Sequence, residues 1–217
     1  MKRDRLQTLV RWLVKRLTQT EYLGIENIPT EGGVIFATNH LSQLDIPLLF
    51  VNPVRRDITA LVTTKYQKHW FINWFCQTAE GIWIDRDIAD FGAMRAASRA
   101  LQKGKALGIA PEGTRSRTAQ LLPGKPGMVL LALKTNAPIL PVGISGTENA
   151  FRLLARLRRP HIRVRFGPQF NLEPLTRDNR EQATQRYLDE IMCRIAALLP
   201  EEYRGAYRDH PLLKNFL

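Results

Sequence analysis

The chain has 217 residues, 44% of them hydrophobic, two cysteines and a formal net charge of +12. That length and apolar content suit one globular domain with a sizeable core. The cysteines, Cys76 and Cys193, exclude a disulfide framework and match no metal-ligand spacing, so a reducing compartment and no metal are expected. The charge calls for an anionic partner: nucleic acid, an acidic membrane surface or a phosphorylated ligand. No zinc-finger, Walker or RNP-like pattern is present, and Gly124-Lys125 is followed by Pro126 where a phosphate loop needs Ser or Thr, so nucleic acid is not expected.

The first predicted element is a helix over 3–18. Leu6, Leu9, Val10, Leu13, Val14 and Leu17 recur at the spacing of one helical stripe, with Arg11 and Lys15 opposite and Trp12 on the flank. Six cations (Lys2, Arg3, Arg5, Arg11, Lys15 and Arg16) stand against Asp4 before residue 20. A basic amphipathic helix of this kind lies in the headgroup region with its apolar face down. Residues 1–20 are therefore expected to contact an anionic membrane through Leu6, Leu9, Trp12 and Leu13, with Arg11, Lys15 and Arg16 toward the headgroups. A helix docked on a protein core carries the same stripe. Charged residues interrupt the first apolar positions, so no signal peptide is read, and no apolar stretch approaches the ~20 residues of a spanning helix. The expected location is cytoplasmic, peripheral on the inner face of the membrane.

Residues 21–217 read as one domain. Strands are predicted at 21–25, 33–38, 58–63, 81–85, 105–110, 138–143 and 161–166, alternating with helices at 45–51, 66–78, 88–102, 126–136 and 179–199. This alternation predicts an α/β fold with a mainly parallel central sheet flanked by helices. Between Glu148 and Glu173 the chain carries Arg152, Arg156, Arg158, Arg159, Arg163 and Arg165 with no acid among them. That run is either a solvated basic face or a surface for an anionic partner. The tail, 200–217, is polar and aromatic and has no assignable pattern.

Chemistry concentrates where predicted strands end. After 33–38 comes Asn39-His40-Leu41-Ser42-Gln43-Leu44-Asp45. A histidine there, with a carboxylate five residues on, can be oriented to take a proton from an alcohol. Continuous helix would put the two side chains on different faces, so a bend must intervene, and Pro47 is compatible with a helix starting near Ser42 to Asp45. Asp45 or Ser42 as an ordinary N-cap is the alternative. A second segment, Pro111-Glu112-Gly113-Thr114-Arg115-Ser116, follows the strand at 105–110.

Asn39-His40-x-Ser42-x-x-Asp45, then Gly81-Ile82-Trp83-Ile84-Asp85-Arg86, then Pro111 to Ser116, then Ile139-Leu140-Pro141-Val142 resemble, in order, the four motifs of the glycerolipid acyltransferase family. The resemblance spans about residues 21–145 and points within that family to the bacterial lysophosphatidic acid acyltransferases. It implies transfer of a fatty acyl group from acyl-CoA or acyl carrier protein, as co-substrate, to lysophosphatidic acid, with no cofactor. It implies direct attack by the acceptor alcohol, so Ser42 is a cap or local donor and not a nucleophile.

In that scheme His40 is the base, and Asp45 fixes its tautomer and stabilises the imidazolium. Arg86 and Arg115 are expected to grip the acceptor phosphate, helped by the Gly113 turn, with a surface ion pair as the alternative; Glu112 and Thr114 belong to the same acceptor-binding motif, Glu112 to orient Arg115 or touch the glycerol hydroxyls. Asn39 and Ser42 support the histidine, Lys125 and Gly127 resemble a basic-glycine stretch of the family, and Pro141 is expected to shape a strand end at the pocket. Backbone amides near Asn39 or at Gly143 are candidate oxyanion donors. Trp70, Trp74 and Trp83 are either core residues or the lining of an acyl groove or headgroup belt. A different lysolipid acceptor, a thioester hydrolase, or a non-catalytic basic module binding membrane or nucleic acid are the competing readings.

Overall fold

Val34–Thr38 is buried along its whole length, as a β-branched and aromatic run covered on both faces must be, and it forms the central strand β2 of a seven-stranded sheet. The computed structural model describes residues 2–174 and 180–217. The other strands are β1 (Gln19–Leu23), β3 (Thr59–Thr63), β4 (Ile82–Ile84), β5 (Ala106–Ile109), β6 (Ile139–Ser145) and β7 (His161–Phe166). Their order is β1-β7-β6-β2-β5-β3-β4. Neighbours are parallel except β6 and β7, so β1 and β7 run against the other strands and the sheet is mainly parallel.

Helices cover both faces: α1 (Arg3–Leu17), α2 (Asp45–Phe50), α3 (Trp70–Thr78), α4 (Phe91–Gln102), α5 (Gly127–Thr135), α6 (Ala150–Ala155) and α7 (Arg180–Ala197). The period of two along β2 sorts the core. Ile35 and Ala37 pack with Leu131 of α5 and Ile191, Met192 and Ile195 of α7. Val34 and Phe36 pack with Leu6 and Val10 of α1 and Leu48, Leu49 and Phe50 of α2. On β7 the alternation is visible in the sequence itself: Ile162, Val164 and Phe166 point inward, while His161, Arg163 and Arg165 are exposed.

Local chemistry explains where the predicted boundaries moved. Gly24, at φ 71°, ends β1 two residues before the expected limit. Asp90 accepts the Ala93 N–H at 2.8 Å, so α4 starts at Phe91 and not at 88. A 3-10 turn at Thr64–Tyr66 replaces the start of the helix expected over 66–78. Helix α6, of six residues, was not expected. Residue 179, the first of the last predicted helix, lies outside the described residues. The unassigned tail forms 3-10 turns at Glu201–Tyr203, Gly205–Tyr207 and Pro211–Asn215, which bury Tyr207 and Leu213.

The amphipathic stripe of α1 is divided between two environments. Leu6, expected at the membrane, is 2% exposed and belongs to the core, because α1 docks through Leu6, Gln7 and Val10. Gln7 Nε2 donates to Phe50 O at 3.1 Å and to Arg56 O at 2.8 Å, which fixes that docked face. Leu9, Trp12, Leu13 and Leu17 are exposed. Among the described residues, no helix is long and apolar enough to cross a membrane.

Candidate active site

The motif segments converge because β2, β5, β3 and β4 are parallel and end at one edge of the sheet, where α/β folds place their ligand crevices. Beyond β2 the chain bends, as the five-residue spacing requires. His40 Nδ1 lies 2.8 Å from Asp45 Oδ2. The same Oδ2 accepts the Leu41 N–H at 2.7 Å and the Ser42 N–H at 2.8 Å. Asp45 Oδ1 accepts the Thr147 hydroxyl at 2.6 Å. A carboxylate filled by donors leaves His40 Nδ1 as the N–H, so Nε2 is the lone-pair nitrogen of the neutral ring. Asp45 is 2% exposed and His40 13%, which leaves the ring alone open to a ligand.

The surrounding backbone is held from several directions. Asn39, 1% exposed, extends the β2–β6 ladder with its side chain: Nδ2 donates to Ile144 O and Oδ1 accepts the Ile144 N–H, both at 2.8 Å. Ser42 Oγ accepts the Leu44 N–H at 3.3 Å in a local turn and does not cap α2, whose N-cap position is Leu44. Ser116 N–H donates to His40 O at 2.8 Å.

Glu112 corrects an expectation. It was placed in the acceptor phosphate site, yet it is 1% exposed and touches no open surface. Its Oε1 accepts the His40 N–H and its Oε2 the Leu122 N–H, each at 2.9 Å. Burial raises its pKa from 4.5 to about 7, partly opposed by those two N–H groups and reinforced by the charge of Asp45. The physical reason for its position is that the β5 turn passes directly beside the His40 backbone, and a two-oxygen acceptor satisfies both buried donors there.

A cavity of about 510 Å³ opens beside His40. Its mouth carries Arg86, Thr114, Arg115 and Lys125, together with Lys65, Tyr66 and His69, which the sequence reading did not single out. Arg86 Nη1 donates to Gly113 O at 2.8 Å, and burial, opposed by Tyr66 and reinforced by the charge of Arg115, lowers its pKa. Arg115 Nη2 donates to the Tyr66 hydroxyl at 2.9 Å. Gly113 has φ 68°, and a Cβ there would meet Lys125 Cδ at 3.1 Å, so the lysine stem lies across the turn. The inner wall is apolar: Leu49, Phe50, Ile58, Leu61, Val62 and Phe75. Trp70, Trp74 and Trp83 do not line it; Trp70 is 80% exposed and Trp74 packs against the core.

Three further expectations are displaced. Pro141 sits inside β6 opposite Ala37, and its carbonyl accepts the Gly167 N–H at 2.9 Å, away from the cavity. Gly143 is paired with Arg165 in mid-strand and is backed by Leu198, so it offers no oxyanion donor at the cavity. Gly127 opens α5 and does not line the cavity.

This geometry belongs with a recognisable sequence pattern. Residues 19–145 match the family model described as Acyltransferase. The chain is a member of the acyltransferase family. It is 28% identical over 178 residues to a 1-acyl-sn-glycerol-3-phosphate acyltransferase of Borreliella burgdorferi, covering 81% of this chain and 71% of that protein. A Limnanthes douglasii protein of the same name is 33% identical over 156 residues, covering 69% of this chain and 54% of the relative. The solved 1-acyl-sn-glycerophosphate (LPA) acyltransferase PlsC from Thermotoga maritima superposes with TM-score 0.64 at 25% identity, covering 87% of this chain and 80% of that one. The chain is thus an acyltransferase built on a single α/β domain. Its His40–Asp45 pair, at the junction of an apolar cavity and a cationic mouth, occupies the edge where acyltransfer chemistry is to be sought.

Proposed function

We propose that this acyltransferase moves a fatty acyl group from an acyl thioester, acyl-CoA or acyl carrier protein, to the free hydroxyl of lysophosphatidic acid, giving phosphatidic acid. The observation that carries this reading is the placement of His40, ordered by Asp45, between an apolar cavity and the cations Arg86, Arg115 and Lys125. A lysophosphatidic acid has the matching parts: an acyl chain, a phosphate and, between them, a hydroxyl. The named substrate of the Borreliella and Thermotoga relatives is of the same chemical class.

In the proposed reaction His40 Nε2 takes the hydroxyl proton as the oxygen attacks the thioester carbonyl, and the tetrahedral oxyanion collapses with expulsion of the thiolate. The imidazolium then returns its proton to that sulfur. Asp45 stabilises the imidazolium while Thr147 and two backbone N–H groups hold the carboxylate in place. Arg115 and Arg86 would bind the phosphate oxygens, which fixes the hydroxyl against the histidine.

The chain would work at a cytoplasmic, anionic membrane surface. Leu9, Trp12, Leu13 and Leu17 form an exposed apolar ridge on α1, beside exposed Lys15 and Arg16, as an interfacial helix requires. The test is product mass spectrometry with purified protein, several lysolipids and mixed acyl donors. Phosphatidic acid formed in preference to other products supports the reading; preferential acylation of an uncharged acceptor, or thioester loss without any acceptor, contradicts it.

A further inference from the structure

Helix α6 lies at the catalytic edge of the sheet, and its surface is not that of a solvated helix. β7 pairs antiparallel with β6, Ser145 opposite Arg163, so the connecting segment, 146–160, leaves and re-enters the sheet at the edge beside His40. Thr147, whose hydroxyl reaches Asp45, opens that segment. β1 begins at the same level, with Gln19 paired to His161 and its N–H donating to Pro160 O at 2.8 Å. The C-terminal end of α1 therefore arrives at this edge too. Arg159 joins the two, donating from Nη2 to Lys15 O at 2.8 Å and to Thr18 O.

The exit from α6 presents a leucine where glycine is the usual residue. Arg158 N–H donates to Leu153 O and Leu157 N–H to Leu154 O, both at 2.9 Å, the paired bonds that close a helix through a left-handed residue. Leu157 occupies that position at φ 55° and is 97% exposed. A bulky side chain there costs backbone free energy that glycine would not, and nothing inside the fold offsets it. Phe151, one and a half turns earlier, is 54% exposed. Arg152, Arg156 and Arg158 adjoin these two residues in the chain and are exposed as well. No acidic residue falls between Glu148 and Glu173.

Exposed apolar tips flanked in the chain by exposed arginines fit an anionic bilayer, where the tips reach the acyl boundary and the guanidinium groups stay with the lipid phosphates. The ridge of α1 has the same composition, with Trp12, Leu13 and Leu17 beside Lys15 and Arg16, and one planar partner can cover both surfaces at a common edge. We propose that α6 and the turn 156–158 form a second membrane anchor, which together with α1 seats the catalytic edge on an anionic bilayer. The inference rests on the reading of the chain as an enzyme of lipid substrates. Two anchors at one edge fix the orientation of the cavity mouth, which a single helix would leave free to roll.

The test uses the full chain with vesicles of phosphatidylcholine, with and without phosphatidylglycerol, and turnover of a monomeric short-chain lysophosphatidic acid. Leu157→Asp is expected to weaken partition onto anionic vesicles about tenfold or more, with turnover of the monomeric acceptor unchanged. Leu157→Gly, which relieves the backbone, should be more resistant to heat and still bind weakly, while Leu157→Trp should bind at least as well as wild type. Wild-type vesicle binding by Leu157→Asp, with release of Leu13→Asp, would overturn the second anchor and leave α1 alone. Unchanged vesicle binding with weaker saturation by acyl carrier protein would overturn it in favour of an acidic protein partner. Vesicle binding lost in Leu157→Asp by a wild type that acylates no lysolipid would sustain the anchor and remove the proposed reaction. Turnover of lysolipid by a wild type that never binds vesicles would do the reverse.

Discussion

Glu112 and His40 are joined through the backbone, not the ring: Glu112 Oε1 accepts the His40 N–H at 2.9 Å while its other oxygen accepts the Leu122 N–H at 2.9 Å. A buried carboxyl thus holds the His40 backbone in position and does not line the cavity. Because burial raises its pKa from 4.5 to about 7, the native state binds more protons than the unfolded chain between those values. Stability linked to Glu112 is therefore fully present below pH 4.5 and is lost as pH rises through about 7, by something on the order of 3 kcal/mol.

Glu112→Gln tests that assignment. The amide NH₂ must face one of the two N–H donors, so the variant should be less stable than wild type at pH 5 by about 1–3 kcal/mol. The gap should close as pH passes 7, since wild type then carries a buried charge and the variant does not. Denaturant melts at several pH values measure it. A constant gap across that window would mean that Glu112 does not titrate there.

Thr147→Val should act on the chemical step. The hydroxyl meets Asp45 Oδ1 at 2.6 Å, and removing it leaves a buried carboxylate oxygen short of a donor. We expect kcat to fall about tenfold with both KM values nearly unchanged, because Thr147 is fully buried and does not line the cavity. A rise in acceptor KM at constant kcat would place Thr147 in binding instead.

Arg115→Lys separates phosphate recognition from catalysis. It keeps the charge but loses the planar two-point contact, so the acceptor KM should rise while the donor KM holds. A monoacylglycerol acceptor, lacking the phosphate, should cost wild type far more than it costs Arg115→Ala, since both changes remove one interaction. Additive penalties would show that Arg115 acts elsewhere and leave Arg86 as the arginine at the acceptor.

The readable parts of this molecule were those encoded locally. Seven strand runs are contiguous or alternating in apolar residues, and His40 and Asp45 are five residues apart, so both pattern and pair could be seen in the chain. Thr147 could not, because its contact with Asp45 spans 102 residues with no local signature. Glu112 was misplaced because nothing in a Pro-Glu-Gly turn reveals that the turn is buried. The α1 stripe is wider than the face that docks, and helical period alone does not say that Leu6 goes inward while Leu13 stays out. Helix α6 is too short to show a period. The roles expected of Arg86 and Arg115 rest on the two-point fit of guanidinium to phosphate together with the motifs around them, since residue type alone does not separate a phosphate site from a surface ion pair.

The most direct test of the account is the turnover of folded His40→Ala. With Asp45 ordering Nδ1 and Nε2 left as the base, the variant should keep its melting behaviour and its acceptor KM while kcat falls by about 10² to 10⁴. Asp45→Asn should also be severe, because a neutral amide at the position of Oδ2 cannot stabilise the imidazolium and no longer fixes the ring's tautomer. Near-wild-type turnover in folded His40→Ala would contradict the mechanism at its centre.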